Sequence, residues 1–206
     1  MDSLRSGSPF EEPAVLLRSR DPALTASKAG ALWKPGAAGE GRIEVPVLND
    51  IISVSFPEIQ VQAPGRLDSF SFKLLTLIYL ANSSGEAPAG HWISYRELPS
   101  GRTYEPVLER SVCEPLARAF GSDPDLFSLA CGQWGGQPEE FGDRAFSFKP
   151  FPLVLVCFVL WRSDAEFPSR VQVLFDSACR SHFNAFELRM VAQEISERLI
   201  KSGQSG

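Results

Sequence analysis

Leu153–Trp161 (LVLVCFVLW) is the longest unbroken apolar run in the chain, nine residues without a polar break. A helix that crosses a bilayer needs roughly 20 apolar residues, so the run is too short to span one. It also lacks the period-two alternation of a strand with one wet face. What remains is a strand covered on both faces. After the loop Arg162–Ser169, the alternating stretch Arg170–Phe175 reads as its antiparallel partner. The ribbon 153–175 is therefore expected to be the innermost part of the fold.

Helices are expected around it. In Asp68–Ala81, apolar residues at 70, 74, 77, 78 and 81 recur at helical spacing, and Leu75 and Leu80 extend the apolar surface around most of the girth. Asp21-Pro22 and Asp123-Pro124 each place a capping carboxylate before a first-position proline, predicting helices to about Ala29 and over 123–134, with another over about 114–120. Asn184 with Glu187 resembles a capping box, and Leu188, Val191, Ala192, Ile195 and Leu199 form one stripe, predicting a last helix over 185–200. Residues 42–56 read as a hairpin about Asn49–Asp50 that pairs Val47 with Ile52, Val45 with Val54 and Ile43 with Phe56 on one face. Pro46 requires that strand to be an edge or to carry a bulge. Short strands are expected at His91–Tyr95 and Arg144–Phe148. The expected fold class is α+β: a single domain over 15–201, mainly an antiparallel sheet with central strands about 153–161 and 170–175, packed by helices about 68–81, 114–134 and 185–200. Residues 1–14 are expected to be a loose tail and 202–206 a flexible end.

Composition excludes several functions. Twenty basic residues against 25 acidic ones, with no Lys/Arg run, lack the clustered cations that displace counterions from nucleic-acid phosphates. Residues 1–13 hold no apolar signal region, and Cys113, Cys131, Cys157 and Cys179 form no C-x-x-C pair, which suits reduced thiols and a cytoplasmic setting. No phosphate-loop, dinucleotide, zinc-protease or nucleophile-elbow motif is present.

Three groups of residues hold candidate chemistry. Asp176, Cys179 and His182, spaced D-x-x-C-x-x-H, combine a carboxylate, a thiolate and an imidazole that zinc accepts, although no fourth ligand is nearby. The structural alternative has Asp176 capping a turn, Cys179 filling an apolar gap and His182 bonding locally. Trp92 and Tyr95 offer flat rings for a ligand, with Arg96 for an anion and Glu97 beside it; the alternative is a structural turn. Asp164 and Glu166 lie in the loop between the central strands, a strand's length from Asp176, and are expected to solvate a loop tip.

WISYRELPSG (92–101), AFG (119–121) followed by Asp123-Pro124, and LWRSDAEFPSRVQVLFDSACRSHF (160–183) resemble the prokaryotic domain-of-unknown-function family 3786, in order over about residues 20–200. The resemblance implies Trp92, Arg96, Glu97, Glu166, Asp176 and His182 as motif positions, but no activity and no role for them. It also implies an anaerobic setting, since the family is best known from anaerobic bacteria and archaea, and some relatives carry an N-terminal cysteine-rich iron–sulfur segment like that found beside corrinoid proteins. No cysteine precedes Cys113 here, so that cluster does not carry over. The leading expectation is a non-catalytic cytoplasmic binding module for a corrinoid-like or metal cofactor, with a partner enzyme or an iron–sulfur or corrinoid protein as its company. The alternatives are a protein–protein interaction or scaffold role and an enzyme with a carboxylate/Arg site.

Overall fold

The structure is a computed structural model that describes residues 8–37 and 39–204. It opens with α1 (Glu11–Arg18) and α2 (Pro22–Lys28), followed by an antiparallel sheet of β1 (Leu32–Pro35), β2 (Gly41–Val47), β3 (Asp50–Phe56) and β4 (Val61–Gln62) in that order. Next come α3 (Phe70–Asn82), β5 (Trp92–Ser94), α4 (Gly101–Leu108), α5 (Glu114–Phe120) and α6 (Pro124–Gln133). The last third holds β6 (Gln137–Glu139), β7 (Arg144–Phe151), β8 (Val154–Trp161), β9 (Arg170–Asp176) and α7 (Ala185–Gln204). A second antiparallel sheet has the order β5-β9-β8-β7-β6, which puts β8 at its centre. The fold class is α+β, with two sheets where one was expected.

The central ribbon forms as its pattern predicts. β8 pairs with β9 from Val156↔Phe175 to Trp161↔Arg170. Val154, Val156, Phe158 and Leu160 point into the main core with Val171, Val173 and Phe175. On the other face Cys157 and Val159 lie with Ala145 beneath Trp92, Trp161 and Leu174. Apolar residues on both faces of β8 thus reflect two separate coverings. β7 runs past the expected Phe148 to Phe151, with a register shift between those two residues. Pro150, which cannot donate to a ladder, stands inside that shift. α7 packs against α3, α4, α5 and α6, and its stripe of Leu188, Val191, Ala192, Ile195 and Leu199 is wholly buried.

The hairpin has the predicted buried face and a different register. Val45 pairs with Ile52 and Ile43 with Val54, because the two-residue turn is Leu48–Asn49, with Leu48 in the left-handed region (φ 52°). Moving the turn by one residue shifts each pair by two, and a shift of two keeps every side chain on its face. The side chain of Asp50 is free to pair with Arg66 from the first position of β3. β1 reaches only as far as Glu44, so β2 is an edge at Pro46, as the missing donor requires.

Other expectations need correction. Residues 1–7 of the expected tail lie outside the described residues, but Glu11–Arg18 is helical and buries Pro13, Ala14 and Leu17. At the other end α7 continues through Ser202 to Gln204, three residues into the expected flexible end. β1, β4 and β6 are too short to show a period. α4 was hidden by Pro106, which sits within it. A π-helical turn, Glu109–Cys113, joins α4 to α5. Pro115 supplies no N–H to the carbonyl four residues back and its ring crowds it, which favours widening at this point.

Candidate functional site

The two stretches that carry the candidate residues lie side by side. β5 pairs with the end of β9, Trp92 opposite Asp176 and Ile93 opposite Phe175. Each strand then runs into a short 3-10 turn, Tyr95–Glu97 after β5 and Ser177–Ser181 after β9. The candidates within these turns have inward or local partners.

Asp176 is 1% exposed, and its carboxylate accepts the backbone N–H of Ala89 (2.9 Å), Gly90 (2.7 Å) and Ala178 (2.9 Å). The Cys179 thiol donates to the Leu155 carbonyl (3.3 Å), and burial pushes it up to about 12. His182, also 1% exposed, holds the Glu86 carbonyl with Nε2 (2.9 Å) and meets the Ser83 hydroxyl with Nδ1 (3.0 Å). An N–H must donate to that carbonyl, so Nε2 carries a hydrogen, while the Ser83 hydroxyl also reaches the Lys28 carbonyl (3.2 Å). Among the described residues no group of three or more His, Cys, Asp or Glu side chains is placed to hold a metal ion. The D-x-x-C-x-x-H spacing thus serves the structural alternative: Asp176 and His182 pin the loop 83–91 to the turn after β9.

Burial lowers the His182 pKa from the ordinary 6.5. Between the folded and unfolded values the unfolded chain binds more protons, so stability rises with pH. The stability is present at neutral pH and is lost as pH falls below about 6.5. Urea midpoints measured from pH 8 to pH 5 are expected to fall over that lower range, and His182→Gln should flatten the fall. An equally steep fall in the variant would assign it to other groups.

The first stretch is likewise a frame. The Tyr95 hydroxyl donates to the Ala185 carbonyl at the start of α7 (2.7 Å), and burial raises its pKa to about 12. Glu97 accepts from both the N–H and the hydroxyl of Ser94 (2.7 Å each), bonds that hold its carboxyl below the usual range. Arg96 forms a forked pair with Glu105 of α4, Nη2–Oε2 2.8 Å and Nε–Oε1 3.1 Å. Trp92 covers part of the outer face of the second sheet. Asp164 accepts the N–H groups of Glu166 and Phe167, closing the loop tip. Trp92, Arg96 and His182 share none of the five clefts described along the surface.

One of those clefts, of about 440 Å³, opens where the two frames meet, between Leu98–Pro99–Ser100 with Tyr104 on one side and Arg180 with Phe183–Phe186 on the other. Gly101 makes the sharp turn on the first side possible, since a Cβ there would stand 1.9 Å from the Tyr95 carbonyl oxygen. Tyr104 (38% exposed) and Phe186 (48% exposed) meet edge to face at 6.3 Å. Arg180 has no ion-pair or hydrogen-bond partner among the described residues. It is also the one charged residue in the lining; each of the other four clefts mixes both signs, as where Arg162 and Arg170 face Asp143 and Asp164. The lining holds no histidine, cysteine or carboxylate to act as a general base.

A family model described as a domain of unknown function (DUF3786) matches residues 21–198. The chain belongs to the DUF3786 family. The match runs from the cap of α2 into the last turns of α7, so both sheets and the cleft of this DUF3786 domain fall within it. No curated protein and no solved structure matches the chain. Among the described residues no helix is long and apolar enough to cross a membrane.

Sequence reasoning missed Arg180, Tyr104 and Phe186. Arg180 stands inside the quoted motif, between Cys179 and His182, but a lone arginine in a loop has no distinguishing neighbour in sequence. The visible signal was the crowding of polar residues around it, which marks the frame.

Proposed function

We propose that this DUF3786 domain is a non-catalytic binding module that takes a small anion with a flat apolar body into the cleft between Leu98–Tyr104 and Arg180–Phe186. The observation that carries the reading is the unpaired Arg180 guanidinium, the single charge in a lining that also presents two half-exposed rings, on a chain of net charge −5. Apolar side chains beside a few polar groups suit a small-molecule site, and the volume lies in the usual range of about 300–1,000 Å³. A guanidinium meets an anionic oxygen with a charge-assisted hydrogen bond, and the rings of Tyr104 and Phe186 offer area for the ligand body. Four free, buried cysteines suit a reducing, cytoplasmic setting for such a module.

Neither a metal nor a corrinoid-type cofactor belongs to this reading. Asp176 and Cys179 are spent on backbone partners, and both nitrogens of His182 are engaged, which leaves that imidazole no free position for axial ligation. The carboxylate/Arg enzyme reading loses its members in the same way, Arg96 to Glu105 and Glu97 to Ser94.

The test is titration of the full chain with benzoate, phenyl phosphate and neutral benzyl alcohol, followed by NMR. An anion is expected to bind at least tenfold more tightly than benzyl alcohol. Arg180→Gln is expected to weaken it about tenfold to a hundredfold, the range of a charge-assisted hydrogen bond of about 1.5–3 kcal/mol. Equal affinity for the neutral alcohol, or an unchanged Arg180→Gln, would contradict the reading.

A further inference from the structure

Ser100 is exposed, lines the cleft and has a left-handed backbone (φ 63°, ψ 4°). Among the described residues two other non-glycine positions, Leu48 and Ile59, have positive φ, and each has a compensating contact. Ile59 is 8% exposed within the core, and Leu48 packs against it from a partly buried position. Ser100 gains nothing comparable. It stands at the cap position of α4, where a serine hydroxyl ordinarily accepts a backbone N–H, yet its side chain makes no cap hydrogen bond and has no other partner among the described residues. A residue that bears an unfavourable backbone conformation, without packing or capping in return, suits glycine better than serine. The hydroxyl is what serine adds at this position, and it lies in the same lining as Arg180.

We propose that Ser100 is a ligand-reading residue of the cleft: its hydroxyl donates to one oxygen of an oxyanion whose other oxygen is held by Arg180. This inference rests on the binding reading above and narrows the ligand to a carboxylate or phosphate ester on an apolar body. A carboxylate or phosphate offers each donor a charged oxygen of its own, which a neutral group does not.

The experiment compares wild type, Ser100→Gly, Ser100→Ala and Arg180→Gln, with benzoate and phenyl phosphate as probes, reading affinity by NMR titration and folding by thermal midpoint. Ser100→Gly is expected to melt at or above the wild-type midpoint, because it relieves the left-handed residue, and to bind the preferred probe at least threefold more weakly. Ser100→Ala, which keeps the backbone cost and loses the hydroxyl, is expected to lose as much affinity. Which probe is preferred tells carboxylate from phosphate. If both Ser100 variants bind within twofold of wild type while Arg180→Gln loses binding, Ser100 does not read the ligand and the cleft reading stands. If wild type binds neither probe, the cleft reading fails and this inference with it.

Discussion

Replacing Asp176 by alanine is expected to lower the unfolding free energy by about 3–5 kcal/mol, read from urea midpoints at pH 7. Its carboxylate is 1% exposed and accepts three backbone N–H groups, from Ala89, Gly90 and Ala178. Removing it leaves the buried Ala178 N–H without an acceptor and the part-buried N–H groups of the exposed residues Ala89 and Gly90 without theirs, and each donor left unmet costs about 1–3 kcal/mol. Asp176→Asn, which keeps one acceptor oxygen, is expected to cost roughly half as much. Ligand affinity at the Arg180 cleft should survive in the asparagine variant, because Asp176 does not line it. A stability unchanged in Asp176→Ala would mean that the loop 83–91 is held in some other way.

The second large effect is expected at the centre of the ribbon. Phe158 is fully buried on the inner face of β8, where its ring meets Phe148 edge to face at 5.7 Å. Truncation to alanine combines lost burial with a cavity that the surrounding sheet and helices cannot close, and such changes cost about 3–5 kcal/mol. Gln172, exposed on the neighbouring β9, is the control, with an expected effect within about ±0.5 kcal/mol. A Phe158→Ala cost close to that of Gln172→Ala would place β8 at the surface and undo the layout.

These two expectations also mark how much the sequence reveals. The ribbon was legible because nine consecutive apolar residues admit few solutions, and the helices at Pro22, Pro124 and Ala185 were legible because their caps are local chemistry. The hairpin shows the boundary between what is local and what is not. Its buried face follows from period two alone, whereas its register turned on whether Leu48 accepts a left-handed conformation, and nothing within the hairpin decides that. α1 and α4 were obscured by prolines that both helices tolerate, Pro13 in the first and Pro106 in the second.

The candidate site was legible as a neighbourhood. Trp92–Glu97 and Asp176–His182 are rich in groups that could bind a ligand, and the fold does bring the two stretches together. The side chains of Tyr95, Arg96, Glu97, Asp176, Cys179 and His182 bond to backbone or to neighbouring side chains. Arg180 stands outside these bonds, exposed and without a partner among the described residues, and its significance depends on Tyr104 and Phe186 being close in space. That proximity is set by β5 pairing with β9 and by Tyr95 bonding to the first residue of α7, both long-range events.

The most direct test follows backbone amide shifts of the isotope-labelled wild-type chain during titration with phenyl phosphate and, separately, benzoate. The perturbed amides are expected to cluster at residues 98–104 and 180–186, with the loop 83–91 and the Trp92–Ser94 strand unmoved. Shifts centred on Trp92, Asp176 or His182, or no shifts with either probe, would contradict the division between a polar frame and the cleft it supports.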